Sequence, residues 1–259
     1  MNALFLDPVA FSLFGLPVRW YGLMYFIGIL LAWVYMRRTA KLFPFFSQQE
    51  LDDAIPWLVG GIVVGGRLGY VLFYQPALIF ENPLAILKTW EGGMSFHGGL
   101  LGVLAALIIY AKKNNVVPSS LFDVMACGTP IGLFFGRIGN FINQEAWGRV
   151  TEVPWGVVFP KVDAYARHPS QLYEAGLEGI LLFLVLWWLR RVLCGIPWAL
   201  GFTFLLGYGA LRWVAELYRV PDAFFVWGNH LVITEGQLLS LPMIVAGLFF
   251  FWWRFRRPL

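Results

Sequence analysis

The chain is short of charge. Only 13% of its 259 residues are Asp, Glu, Lys or Arg, against about 25% in a soluble domain. That shortage excludes an ordinary soluble domain carrying a single anchor. Cysteine is nearly absent. Cys127 and Cys194 are the two present, in or beside apolar segments, with neither CxxC spacing nor a ligand cluster. Both read as packing residues rather than a disulfide, a metal site or a nucleophile. No phosphate-cradling P-loop, HExxH metal motif or serine or cysteine nucleophile motif occurs, so no metal or cofactor is expected. Strand-like alternation over ten-residue segments is missing, which argues against an outer-membrane barrel. The N-terminus has no basic region before its apolar residues, and Asp7-Pro8 interrupt it, so it does not read as a cleavable signal peptide.

What remains is apolar. Hydrophobic residues make up 59% of the chain and aromatic residues 18%, and the mean hydropathy is +0.68. These values predict an all-α integral membrane protein, a single polytopic domain over residues 1–259. Residues 1–18 form a lead-in with Phe5, Phe11 and Phe14 at the interface. Spans are expected at roughly Trp20–Met36, Ala54–Tyr74, Phe96–Tyr110, Leu121–Ile138, from Pro169 to Arg190-Arg191, Trp198–Val214, and from Thr234 to about Trp253. Capping patterns at Ser47–Glu50, Ser120–Asp123 and Thr234–Gln237 mark three starts. Gly60-Gly61 and Gly65-Gly66 allow close packing or a kink. Two longer connections, about 140–170 and 217–233, read as folded arms outside the membrane. Trp20, Trp90, Trp147, Trp155, Trp198 and Trp227 suit interfacial anchors.

The net charge of +4 belongs to loops rather than to a nucleic-acid surface. With seven spans, one face receives Arg37, Arg38, Lys41, Lys112, Lys113, Arg190, Arg191, Arg254, Arg256 and Arg257, so that face is predicted to be cytoplasmic. The N-terminus and both arms then lie outside. This topology brings Tyr21, His97, Arg137, Asn140, Asn143, Glu145, Arg212 and Glu216 to one depth near the outer leaflet.

An arginine inside a span costs roughly 2.5–3.5 kcal/mol on insertion scales, so it faces protein, water or an anion. Arg137 and Arg212 either clamp one phosphate with their planar donor forks or snorkel to the headgroups. Glu216, four residues after Arg212, shares its helix face. His97, in Ser95-Phe96-His97-Gly98-Gly99, is either a proton acceptor or a structural histidine, and its glycines could let a ligand approach the backbone. His168 reads as a helix-start or arm residue and His230 as an arm residue. Asn140 and Asn143 share a face if their helix continues. Arg67 is either an ion-pair member or a second lipid-binding arginine.

Gly136-Arg137-Ile138-Gly139-Asn140-Phe141-Ile142-Asn143-Gln144-Glu145-Ala146-Trp147-Gly148 resembles the signature of the bacterial prolipoprotein diacylglyceryl transferases. Ser95–Gly99, Arg19–Met24, Gly66–Tyr70 and His168–Glu174 resemble that family as well. The resemblance implies a seven-span enzyme of the bacterial inner membrane, with its site toward the outer leaflet. Such an enzyme transfers the diacylglyceryl group of phosphatidylglycerol to the lipobox cysteine of a prolipoprotein, forming a thioether and releasing glycerol phosphate. It implies His97, Arg137 and Arg212 as catalytic residues. Tyr21, Asn140, Asn143, Glu145, Gly148, Glu216 and, one turn before Arg212, Tyr208 are implied as substrate-binding. The partners implied are phosphatidylglycerol, a prolipoprotein signal peptide and membrane lipids. Two other readings stay open: a non-enzymatic lipid-binding protein or scramblase using the same arginines, and a different phospholipid head-group transferase.

Overall fold

The computed structural model describes residues 2–3, 7–13, 15–88, 93–221, 223–227 and 231–256. Phe5, Phe14, Trp90, His230 and Arg257 lie outside the described residues, as does the side chain of Trp227. The chain is mostly helical, and among the described residues five helices are long and apolar enough to cross a membrane. They are α1 (Trp20–Ala40), α2 (Gln48–Tyr74), α5 (Pro118–Asn143), the composite helix Ser170–Leu193 and α9 (Glu235–Arg256). Between them stand the short α3 (Leu78–Glu81), α4 (Phe96–Lys113) and α8 (Ala199–Ala215).

The chain divides into two compact units. One runs up to Thr39 and resumes at Phe122; the other is Ala40–Leu121.

In the second unit, α2 opens on the expected capping box. Ser47 Oγ accepts from the Glu50 amide at 3.1 Å, and Glu50 Oε2 accepts from the Ser47 amide at 2.6 Å. α2 packs on α4 along a seam where backbone meets backbone at a run of glycines. A Cβ at Gly61 would lie 2.7 Å from Gly102 O, and one at Gly65 2.4 Å from Gly98 O. One glycine of each pair, Gly61 and Gly65, therefore serves close packing, while Gly60 faces open space. Gly98 is occupied by the same seam, since a Cβ there would meet Gly65 O at 2.4 Å. Its role is helix contact rather than ligand approach. Arg67, buried on α2, donates from Nε to Ile86 O at 2.8 Å and from Nη1 to Gly93 O at 3.0 Å. These bonds tie the connection before α4 onto α2.

In the first unit, the lead-in is not featureless. β2 (Val9–Leu13) and β3 (Leu16–Arg19) pair antiparallel, and β1 (Asn2–Ala3) pairs parallel with β4 (Val157–Val158) of the first arm. α1 and α5 touch where Gly28 faces Gly132 and Phe135. The Ser120–Asp123 cap is corrected: α5 already starts at Pro118, so Asp123 lies inside it. Asp123 is buried and accepts from the Gly201 amide at 2.6 Å, 78 residues away. It caps the start of α8, where Trp198 is left-handed (φ 70°) and supplies no side-chain bond. α9 opens on the expected Thr234 box, with Thr234 Oγ1 and Gln237 Oε1 exchanging backbone donors at 3.2 Å. In the second arm β6 (Phe224–Trp227) and β7 (Leu231–Thr234) pair antiparallel.

Candidate active site

The site is built where three helices of the first unit carry charge. α5 supplies Arg137. The composite helix supplies Glu174 and Glu178; it is α-helical over Ser170–Glu174 (α6), π-helical over Ala175–Leu181, and α-helical again over Leu182–Leu193 (α7). α8 supplies Arg212, with Glu216 at its end.

Glu174 sits at the centre. Its Oε2 lies 2.8 Å from Arg137 Nε, and its Oε1 accepts from Arg212 Nη1 at 2.8 Å. One carboxylate thus holds two guanidinium groups, one on each oxygen. Glu178 reaches the same pair at longer range, 3.3 Å to Arg137 Nη2 and 3.6 Å to Arg212 Nη1. Arg212 Nη2 lies 2.8 Å from Glu216 Oε2. Arg219 Nη1 stands 4.0 Å from Glu174 Oε1. Glu174 and Glu178 expose no side-chain surface, whereas Arg137 keeps 18% and Arg212 9%. Arg137 is therefore the more open of the two. Buried charge is costly unless paired and hydrogen-bonded; the lattice supplies the pairing, while Glu174 Oε2, Glu178 Oε1 and Glu216 Oε2 are buried in ion pairs that are not geometrically sound hydrogen bonds. Glu216 is wedged against the first turn of α9, where a Cβ on Gly236 would fall 2.6 Å from its Oε2. A helix N-terminus favours a carboxylate there.

Sequence reasoning anticipated the meeting of Arg137 with Arg212 and the pairing of Arg212 with Glu216. It missed Glu178 and Arg219, and it saw Glu174 only as the last letter of a motif. The signal was present: an acid inside an apolar span needs a partner, and Glu178 follows Glu174 by four. Both arginines are engaged by carboxylates, and Arg137 keeps an exposed edge beyond that engagement.

Beyond Arg137, α5 continues to Asn143 and then turns. Asn140 and Asn143 do share a face. Their amides donate to Glu145 Oε2 and Oε1 at 3.3 and 3.4 Å. Gln144 and Ala146 take left-handed backbone (φ 62° and 54°), a conformation strained for residues with a Cβ. Bonds from the start of the composite helix hold this turn: Gln171 Nε2 donates to Glu145 O at 2.6 Å and Ser170 Oγ to Ala146 O at 3.0 Å. Gly148 marks a crossing of three strands of chain. Its amide donates to His168 O at 3.1 Å, and a Cβ would lie 2.3 Å from that oxygen and 2.8 Å from Tyr218 O. Arg149 continues the crossing by donating its amide to Tyr218 O at 2.9 Å. Beside it, His168 Nδ1 and Trp155 Nε1 reach the Tyr173 hydroxyl at 3.1 and 2.7 Å.

Tyr21, in the first turn of α1, packs against Gly139, where a Cβ would come 3.2 Å from its Cδ2. Its hydroxyl is 3.1 Å from that of Tyr25. Tyr208 stands one turn before Arg212 on α8 and is half-buried. His97 belongs to the other compact unit, in the first turn of α4 behind the Ser95 cap, and is exposed.

A family model described as prolipoprotein diacylglyceryl transferase matches residues 8–253. The chain is 51% identical over 253 residues to the phosphatidylglycerol–prolipoprotein diacylglyceryl transferase of Rhizobium meliloti, covering 94% of this chain and 90% of that protein. It is 47% identical over 259 residues to the protein of the same name from Pseudomonas putida, covering 97% and 95%. To the Coxiella burnetii protein of that name it is 47% identical over 254 residues, covering 97% and 96%.

Proposed function

Because the chain belongs to the prolipoprotein diacylglyceryl transferase family, we propose that it transfers the diacylglyceryl group of phosphatidylglycerol to the lipobox cysteine thiol of prolipoproteins. The sulfur forms a thioether with the glyceryl carbon, the carbon–oxygen bond to phosphate breaks, and glycerol phosphate leaves. The observation that carries the reading is the pair of guanidinium groups fixed on one buried carboxylate among apolar helices. The phosphodiester monoanion becomes a phosphate monoester and gains charge as it leaves. Donors already oriented toward that charge stabilise the transition state without reorganising. Arg137, with its exposed edge, touches the phosphate; Arg212 supports it from behind. Asn140, Asn143 and Glu145 form a polar wall for the headgroup hydroxyls, with Tyr21 and Tyr208 beside it. Gly148 lets the arm close over that wall. His97 takes the thiol proton.

The same reading places the chain in the bacterial inner membrane with seven spans, α4 and α8 joining the five longer helices. The N-terminus and the arms at about 140–170 and 217–233 lie outside, and the C-terminus inside. The basic residues at span ends support this orientation.

Purified protein, phosphatidylglycerol and a lipobox peptide should yield glycerol phosphate and a thioether-lipidated peptide with no added metal or nucleotide. Lipid movement with no glycerol phosphate released would overturn the reading. Full activity in His97→Gln with a flat pH profile would assign the proton to another group.

A further inference from the structure

The glutamates face α5 and α8 from an unusual piece of helix. The π-helical stretch Ala175–Leu181 begins directly after Glu174 and contains Glu178. Such turns are rare and frequent at functional sites. Gly179 lets this stretch approach α5: a Cβ there would lie 2.7 Å from Phe134 Cβ and 3.0 Å from Phe134 Cα. Arg137 follows Phe134 by one turn of α5. The backbone thereby puts two carboxylates where one would hold the pair. Glu174 alone bridges Arg137 and Arg212 at 2.8 Å on each side, whereas Glu178 sits at 3.3 and 3.6 Å. The cluster pairs Arg137, Arg212 and Arg219 with Glu174, Glu178 and Glu216, so its ionised charges cancel.

A neutral cluster matters because of the product. Glycerol phosphate carries more charge than the lipid it came from. Without Glu178, three arginines would face only Glu174 and Glu216; the excess positive charge would hold that product too well, and release would limit turnover. We propose that Glu178 is a positioning residue that acts through Arg137 and Arg212, offsetting part of their charge so that the site lets the released glycerol phosphate go. The inference rests on the reading that this pair binds the phosphate.

The full chain in phosphatidylcholine nanodiscs, which offer no donor lipid, provides the test. Glycerol phosphate and inorganic phosphate are titrated separately by calorimetry, and turnover is measured in parallel with phosphatidylglycerol. Glu178→Gln keeps the shape and removes one negative charge. It should bind glycerol phosphate roughly tenfold tighter, with kcat and KM both lowered and a burst of about one product per enzyme. Glu178→Asp keeps the charge but draws it back by one methylene, and should bind about two- to fivefold tighter; it carries the test if the glutamine variant does not fold. A merely structural carboxylate would lower thermal stability yet leave product affinity and the kcat-to-KM balance unchanged, and that result overturns the proposal. If the wild type binds neither anion and Arg137→Ala keeps full turnover, the phosphate site itself is misplaced and the underlying reading falls with it.

Discussion

Arg137 and Arg212 share a carboxylate, but their surroundings differ. Arg212 is held by Glu174, Glu178 and Glu216 together, so its planar fork is used on several sides. An ammonium cannot reproduce that geometry. Arg212→Lys should therefore lose at least about 100-fold in kcat/KM, roughly 2.7 kcal/mol, while remaining folded in the membrane. Near-normal kinetics would mean that the side chain merely snorkels. His168 offers a second residue-level test. Burial holds its imidazole below the usual histidine range, so the folded arm favours the neutral ring. A depressed histidine leaves stability intact above its unfolded value of about 6.5 and lowers it as pH falls from there toward the folded value. Amide exchange near Gly148, whose N–H donates to His168 O, should accelerate over that window in the wild type. In His168→Asn the acceleration should vanish; an unchanged profile would assign it to another group.

Helices were legible to different depths. The starts of α2 and α9 could be read because a capping box is local, Ser47 with Glu50 and Thr234 with Gln237. Asp123 was misread because its partner, the Gly201 amide, lies on another helix, and nothing in Ser120–Asp123 announces that. Five of the expected spans match helices long and apolar enough to cross a membrane, but the π-helical stretch, where Gly179 lies against Phe134 on another helix, had no local signal. Of the candidate site, Arg137, Arg212 and Glu216 were visible as charges in apolar runs. Glu178 was visible in the same way and was passed over, whereas Arg219 lies in the second arm, where a charge is unremarkable. The α2–α4 seam gives the element-scale prediction. A Cβ at Gly102 would lie 2.2 Å from Gly61 O, where only backbone can yield. Gly102→Leu should destabilise the protein by at least about 2 kcal/mol, seen as a lower melting temperature in detergent. An unchanged melting temperature would mean that the helices slide apart at little cost.

For the whole molecule, the decisive quantity is which end of each helix faces the cytoplasm. The loop after α4, with Lys112 and Lys113, and the first arm, with Glu152, should lie on opposite sides of the membrane. In a variant with Cys127 and Cys194 replaced by serine, Asn114→Cys should react with a membrane-impermeant maleimide only after the inner face is opened. Glu152→Cys should react in intact spheroplasts. Labelling of Asn114→Cys from outside, with Glu152→Cys reacting only after the inner face is opened, would reverse the assignment of the arms and move the proposed site to the other leaflet.

The shared Glu174 also has a consequence during synthesis. The ribosome finishes α5, with Arg137, before it makes Glu174 and Glu178 some 40 residues later, and Arg212 follows about as far again. A nascent α5 released alone into lipid would carry an uncompensated guanidinium, at roughly 2.5–3.5 kcal/mol. The composite helix released alone would carry two bare acids. The sequence order therefore favours keeping α5 beside the insertion channel until its counter-charges arrive, so that helices leave as partners. The lattice that orients the arginines in the finished protein would then also set the order in which the chain enters the membrane.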